Sequence, residues 1–309
     1  MHIRGFDQNY SELMRIIEVG PRDGLQNEKN PIPTEIKRAF VKNLLASGLQ
    51  EIEVTSFVSP KWVPQLADAV ELLTELGPNP GFSCLVPNAK GLERAITTGV
   101  DRIALFTAAS EAFTLKNINM TIADSMEGFR EVIAEYRSVK PDGWIRGYVS
   151  TAFECPFAGR IGPEQVAKVS YELLKMGVDE VSLGDTIGVA VPHEVSRLIQ
   201  EIADIPKEKV AWHFHDTRGT AIANVSVALE AGYAAFDSSA AGLGGCPYAP
   251  GAGGNLSTED LVYFLERSGV ATGIDPTALA QASLPILECL GRPPVARAQL
   301  ASLAAFQPI

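Results

Sequence analysis

The sequence predicts an α/β fold, a closed (β/α)8 or TIM barrel with additional C-terminal helices, and three observations carry that expectation. Eight strand-sized segments rich in β-branched and aromatic residues recur along the chain at the beat of βα units. Stretches of helical period lie between them. The phrases ASGLQEIEV, TTGVDRIAL, KMGVDEVSL and EAGYAAFDS repeat one plan, in which a helix stops at Gly and a short link enters the next strand. An open doubly wound sheet is the rival, but no GxGxxG follows the first strand, and a count of eight favours closure.

The first strand, residues 15–19 (RIIEV), ends at the Gly20-Pro21 break. In the following TEIKRAFVKNLLASG, Ile36, Phe40, Leu44 and Leu45 share one helical stripe and Gly48 supplies the stop. Strands two to five are residues 51–57, 82–86, 102–106 and 145–150. Pro163 near the start and Gly177 at the end bracket the helix GPEQVAKVSYELLKMG, which leads to strand six, residues 180–185. Strand seven is residues 210–215, and the helix TRGTAIANVSVALEAG, closed by Gly232, leads to strand eight, residues 234–239. From about Ile274 two further helices are expected, DPTALAQASLPILECLG and a final apolar tail, to cap the barrel or meet another subunit. Residues 1–309 are read as one catalytic domain.

Composition narrows the class of function. Lys plus Arg number 26 against 37 Asp plus Glu, a net charge of -11 with no basic patch, which argues against a nucleic-acid partner. The apolar runs are strand-sized, well short of the roughly 18 residues of a membrane span. The N-terminal MHIRGFDQNYSELMR lacks an apolar targeting core and AAFQPI lacks a peroxisomal tripeptide, so a cytoplasmic protein is expected. Cys84, Cys155, Cys246 and Cys289 show no CxxC spacing, which argues against a zinc knuckle or a disulfide framework.

A barrel of this kind gathers the residues at the C-terminal ends of its strands into one mouth. Arg22 and Asp23 follow strand one, Glu53 lies in strand two, Asp185 and Thr186 end strand six, and His213 and His215 sit on strand seven. Residues i and i+2 of a strand share a face, so HFH offers two imidazoles to one ion; the alternative is an inward pair satisfied by hydrogen bonds. With Asp23 at the same mouth the metal reading is the stronger, and the amide oxygen of Asn255 makes an N2O2 set that suits Mg2+ or Mn2+ better than structural zinc. Cys246, between Gly-Gly and Pro in a Gly-rich loop, is a candidate proton donor or nucleophile. Arg22 beside a metal can stabilise a developing oxyanion, where an arbitrary arginine would be a surface ion pair. Glu53, flanked by Ile52 and Val54, is expected to face the barrel and to need a partner such as Arg22. Asp185 is a candidate to orient a ligand or an imidazole.

At these residues the chain strongly resembles the hydroxymethylglutaryl-CoA lyase family. EVGPRDGLQNEKN, TSFVSPKWVPQ, AASEAFTLKNIN, RGYVS, SLGDTIG, HFHDT and AGLGGCPYAPGAGGNLSTEDLVY are similar to its signatures, in order, from about Ile16 to Thr272. The resemblance implies a TIM barrel that binds Mg2+ or Mn2+ and cleaves the acyl-CoA substrate 3-hydroxy-3-methylglutaryl-CoA to acetyl-CoA and acetoacetate. It implies Asp23, His213, His215 and Asn255 as metal ligands, leaving two positions for the substrate's hydroxyl and free carboxylate. It further implies that Arg22 stabilises the thioester enolate, that Cys246 protonates it, and that His213 and Asp23 take part in hydroxyl deprotonation. Glu53 joins this catalytic set. Gln26, Asp185 and Thr186 are grouped as substrate-side or supporting residues, and Lys29 as a contact for CoA phosphates. Leu115, Glu154, Ala158 and Phe214 depart from the family's usual residues outside the implied metal set.

Three alternatives stand beside this expectation. A sister lyase would act on another 3-hydroxy-3-alkyl acyl-CoA, such as citramalyl-CoA or a longer-branched glutaryl-CoA. A synthase of the same barrel type would run a carbon–carbon bond the other way, although the Gly-rich loop with Cys246 favours the lyase. A metal-binding protein without catalysis would have no need of Arg22, Glu53 and Cys246. The C-terminal helices suit a homodimer or higher homo-oligomer.

Overall fold

A computed structural model describes residues 14–245 and 254–305. Eight parallel strands close into a barrel in sequence order: β1 Arg15–Glu18, β2 Glu51–Ser56, β3 Phe82–Leu85, β4 Arg102–Ala108, β5 Trp144–Ser150, β6 Glu180–Asp185, β7 Val210–Phe214 and β8 Ala235–Ser238. β1 pairs with both β2 and β8, which completes the circle. Each segment expected from the sequence is a barrel strand, with ends that move by a residue or two. Gly48, Gly99, Gly177 and Gly232, the four glycines of the repeated helix-to-strand link, all have positive φ, the backbone state that a side chain disfavours. Gly48 has a second reason, since a Cβ there would meet the Gly273 carbonyl at 2.6 Å.

Strand alternation sorts the side chains into two layers. On β2, Ile52 and Val54 join the large apolar core beneath the helices, so Glu51 and Glu53 face the barrel interior. On β7, Val210, Trp212 and Phe214 belong to that same core, and Ala211 and His213 turn inward. On β8 the same rule buries Phe236 outside and Asp237 inside. At the strand starts the interior is filled with charge: Arg15 bridges Glu51 and Glu180, Arg102 pairs with Glu51, and the Arg102 guanidinium lies 4.1 Å from the Trp144 ring.

Two features lie outside the eightfold plan. A hairpin of two-residue strands, Glu154–Cys155 with Gly159–Arg160, follows β5. Three helices, Pro276–Ala282, Leu284–Leu290 and Arg297–Ala304, pack on the outer layer against the helices Thr34–Ala46 and Thr258–Arg267. Buried Gln299 fastens them, donating to the Ala280 carbonyl at 2.9 Å and Ser283 Oγ at 2.7 Å. Among the described residues no helix is long and apolar enough to cross a membrane.

Candidate metal centre and active site

The GPRDG sequence after β1 forms one wide π-helical turn, Gly20–Gly24, in which the N–H groups of Arg22, Asp23 and Gly24 all point at the Val19 carbonyl. Its two glycines are required by close packing. A Cβ on Gly20 would lie 2.5 Å from Glu18 Oε1, and one on Gly24 would lie 2.9 Å from both Leu243 Cβ and Ser239 Oγ. The turn aims Arg22 into the barrel and Asp23 toward β7.

Arg22 is buried between two carboxylates and a ring. Its Nη1 donates to Asp23 Oδ1 at 2.6 Å, its Nε pairs with Glu53 Oε1, and its guanidinium lies 5.2 Å from the Tyr148 ring. Tyr148 donates its hydroxyl to the other Glu53 oxygen at 2.6 Å. Arg22 Nη2 has no hydrogen-bond partner among the described residues.

His213 Nε2 and His215 Nε2 face each other at 3.2 Å, and one ligand atom each from Asp23, His213 and His215 fits within 4.8 Å. β7 itself ends at Phe214. His215 is held just beyond it by an antiparallel bridge to Asn255, while Ser239 bridges Ser257, so the far end of the Gly-rich loop returns to the mouth. Asn255 donates through Nδ2 to Asp23 Oδ2 at 2.9 Å and to the Leu243 carbonyl at 3.1 Å. Those two acceptors fix the amide and leave its buried Oδ1 without a partner. An orphaned amide oxygen beside a carboxylate and two imidazoles is a donor set of the kind a divalent cation takes.

The electrostatics agree. Burial pushes the Asp23 carboxyl up, but Arg22, the two imidazoles and the Asn255 amide outweigh it and hold the group at about 2. Burial and the neighbouring His213 push His215 down to about 4, which keeps its ring neutral and able to ligate. Burial also works against charge on His213, yet the hydrogen bond and charge of Asp237 raise it above the ordinary imidazole value.

Arg22, Asp23, Glu53, His213, His215 and Asn255 therefore meet at one place. Asp185 and Thr186 have other work: Asp185 accepts from the backbone N–H groups of Val189 and Ala190 at 3.0 Å each, and Thr186 Oγ1 accepts from Thr151 N at 2.7 Å. Both stabilise the turns beyond β5 and β6, and burial raises Asp185 to about 6. The carboxylate that meets an imidazole is Asp237, absent from the residues singled out above although AAFDSS places one charge in an otherwise uncharged strand. Tyr148 was legible in the same way, as the alternate residue of IRGYVS. Gln26 is half-buried just past the π turn and Lys29 is exposed beyond it. Cys246 lies outside the described residues.

The HMGL-like family matches residues 13–286. A Pseudomonas aeruginosa 3-hydroxy-3-isohexenylglutaryl-CoA/hydroxy-methylglutaryl-CoA lyase is 49% identical over 96% of this chain and 99% of its own. A crystal structure of hydroxymethylglutaryl-CoA lyase from Pseudomonas aeruginosa superposes with a TM-score of 0.91 at 49% identity, over 94% of this chain and 98% of that one. An Acinetobacter HMG-CoA lyase in complex with coenzyme A and 3-methylmalate superposes with a TM-score of 0.89 at 38% identity, over 97% of this chain and 98% of that one. Shared fold, shared length and a shared sequence over nearly the whole barrel place this chain in the hydroxymethylglutaryl-CoA lyase family.

Proposed function

We propose that the chain cleaves 3-hydroxy-3-methylglutaryl-CoA to acetyl-CoA and acetoacetate with Mg2+ or Mn2+ held by Asp23, His213, His215 and Asn255. The observation that carries the reading is the convergence of Asp23, His213 and His215 within 4.8 Å beside a buried arginine. A divalent cation bound there would supply Lewis acidity toward the substrate oxygens. The residues of the chain divide the remaining work. The proton of the 3-hydroxyl leaves to a base of this cluster, Asp23 where His213 Nε2 is turned to the cation. The resulting alkoxide collapses to the ketone of acetoacetate, the C2–C3 bond breaks, and its electron pair becomes the enolate of the thioester. Arg22, with Nη2 uncommitted and the guanidinium held by Glu53 and Asp23, stabilises the enolate oxygen. Cys246 then delivers a proton to the enolate carbon, which completes acetyl-CoA. Lys29, exposed at the same rim, is assigned to the phosphates of CoA.

Incubation of the purified protein with this substrate and Mg2+ tests the reading. Acetyl-CoA and acetoacetate should appear and should vanish on chelation with EDTA. Cys246→Ala should retain Mn2+ binding while turnover falls by about 10² to 10⁴-fold, the range of a positioned proton donor. The double name of the Pseudomonas relative favours one further trial, a longer-branched 3-hydroxy-3-alkylglutaryl-CoA alongside citramalyl-CoA. Turnover of either in place of the methyl substrate would keep the bond-breaking chemistry and change the substrate; silence on all three sinks the lyase assignment.

A further inference from the structure

We propose that Asp237 is a positioning residue that sets the tautomer of His213, so that the Nε2 lone pair points at the cation position. The inference rests on the reading of Asp23, His213 and His215 as holders of a divalent cation.

The barrel register places Asp237 of β8 directly beside His213 of β7. Both side chains face the interior, and the Asp237 carboxylate is buried. Its Oδ2 lies 3.1 Å from His213 Nδ1 and accepts from Ser182 Oγ at 2.8 Å, while its Oδ1 accepts from Arg146 Nη1 at 2.7 Å. Arg146 is itself paired with Glu180, so the guanidinium cannot swing away without breaking its ion pairs to two buried carboxylates. A carboxylate held against arginine in this way only accepts hydrogen bonds. The contact at Nδ1 therefore needs the ring proton on that nitrogen, and the lone pair falls to Nε2.

Nε2 is the atom that faces His215 Nε2 at 3.2 Å inside the cluster with Asp23. His215 supplies the contrast. Its Nδ1 is buried with no hydrogen-bond partner, so no carboxylate among the described residues sets its tautomer. One imidazole of the pair is set by a carboxylate, whereas the other has only the facing His213 nitrogen to set it before a cation binds. Asp237 acts through His213, without a place in the cluster of ligand atoms itself. Carboxylate partners of ligating histidines are worth about 10- to 100-fold in metal affinity, which is large enough to measure.

The chain has four histidines, so nitrogen-labelled histidine resolves each ring by long-range proton–nitrogen correlation. In mildly alkaline buffer the wild-type His213 ring should carry its proton on Nδ1, with and without Mg2+. Asp237→Asn can keep the Arg146 contact through its amide oxygen and turn N–H toward the ring. The ring proton should then move to Nε2, and the Mn2+ dissociation constant, read from the paramagnetic resonance of free Mn2+, should rise by about 10- to 100-fold. A wild-type ring protonated on Nε2 overturns the proposal, and this measurement decides alone if the variant does not fold. Asp237→Asn that lowers the melting temperature but leaves the tautomer and the Mn2+ affinity unchanged also overturns it, since the residue would then be purely structural. A wild type that binds no Mn2+ is a different failure, because it removes the cation reading beneath the proposal.

Discussion

Arg22 shows how much of this site depends on one side chain. Its guanidinium satisfies Glu53 through Nε and Asp23 through Nη1 from a single rigid plane, stacked near Tyr148. A lysine ammonium keeps the charge but cannot form that fork, so one of the two carboxylates would lose its partner. Arg22→Lys is expected to lower turnover by about 10² to 10³-fold, as removal of one oxyanion donor does elsewhere. Mn2+ affinity should change far less, because Asn255 and the imidazoles still hold Asp23 down. Steady-state kinetics alongside Mn2+ titration check this split; a variant with wild-type turnover would remove Arg22 from the chemistry.

At the scale of elements, two buried carboxylates anchor the root of the Gly-rich loop, one to the π turn and the other to the helix Thr258–Arg267. Glu18, the last residue of β1, accepts from Gly20 N at 2.7 Å, Ala240 N at 3.0 Å and Thr258 Oγ1 at 2.6 Å. Glu259, in the helix Thr258–Arg267, accepts from Ala241 N at 2.8 Å and holds that residue at φ 58. Burial raises Glu18 from 4.5 to about 7 and Glu259 from 4.5 to about 8, against the hydrogen bonds that favour their anions. A folded-state value above the unfolded one means that the native protein holds these protons more tightly. The associated stability is complete below about 4.5 and is lost as pH rises through 7 and 8. Unfolding free energies from urea titration should therefore fall between about pH 5 and pH 8, by at most roughly 1.4 kcal/mol per pH unit for each group, and Glu259→Gln should flatten the upper part of the curve. A variant whose pH profile matches the wild type would show that Glu259 is ionised throughout.

Over the whole molecule the interior of the barrel is a column of charge. It runs from Arg15, Glu51 and Arg102 at the strand starts, through Glu180, Arg146 and Asp237, to the imidazoles and Asp23 at the mouth. The cluster draws on the turn after β1, on β7 and on the end of the Gly-rich loop after β8, so it spans the seam where β1 and β8 close the sheet. A cation bound only by the folded chain must stabilise that closure. Mn2+ at a hundred times its dissociation constant should add about 2.7 kcal/mol to unfolding, visible as an EDTA-reversible rise in melting temperature. A melting temperature indifferent to Mn2+ would count against the site.

The sequence by itself determined the eight strands, the glycines that end their helices, and the HFH pair, because each is a matter of local period and local backbone freedom. It also placed Glu53 inward and in need of Arg22, a consequence of alternation along β2. Only the tertiary structure decided which groups meet. Asn255 reaches Asp23 across 232 residues, because two bridges return the Gly-rich loop to β7 and β8. Asp237 finds His213 through the register of neighbouring strands, and Asp185, another carboxylate at a strand end, accepts from the backbone of its own turn. Period is written in neighbouring residues; register and ring closure depend on every strand at once, so the partner of a buried charge is known only when the barrel is complete.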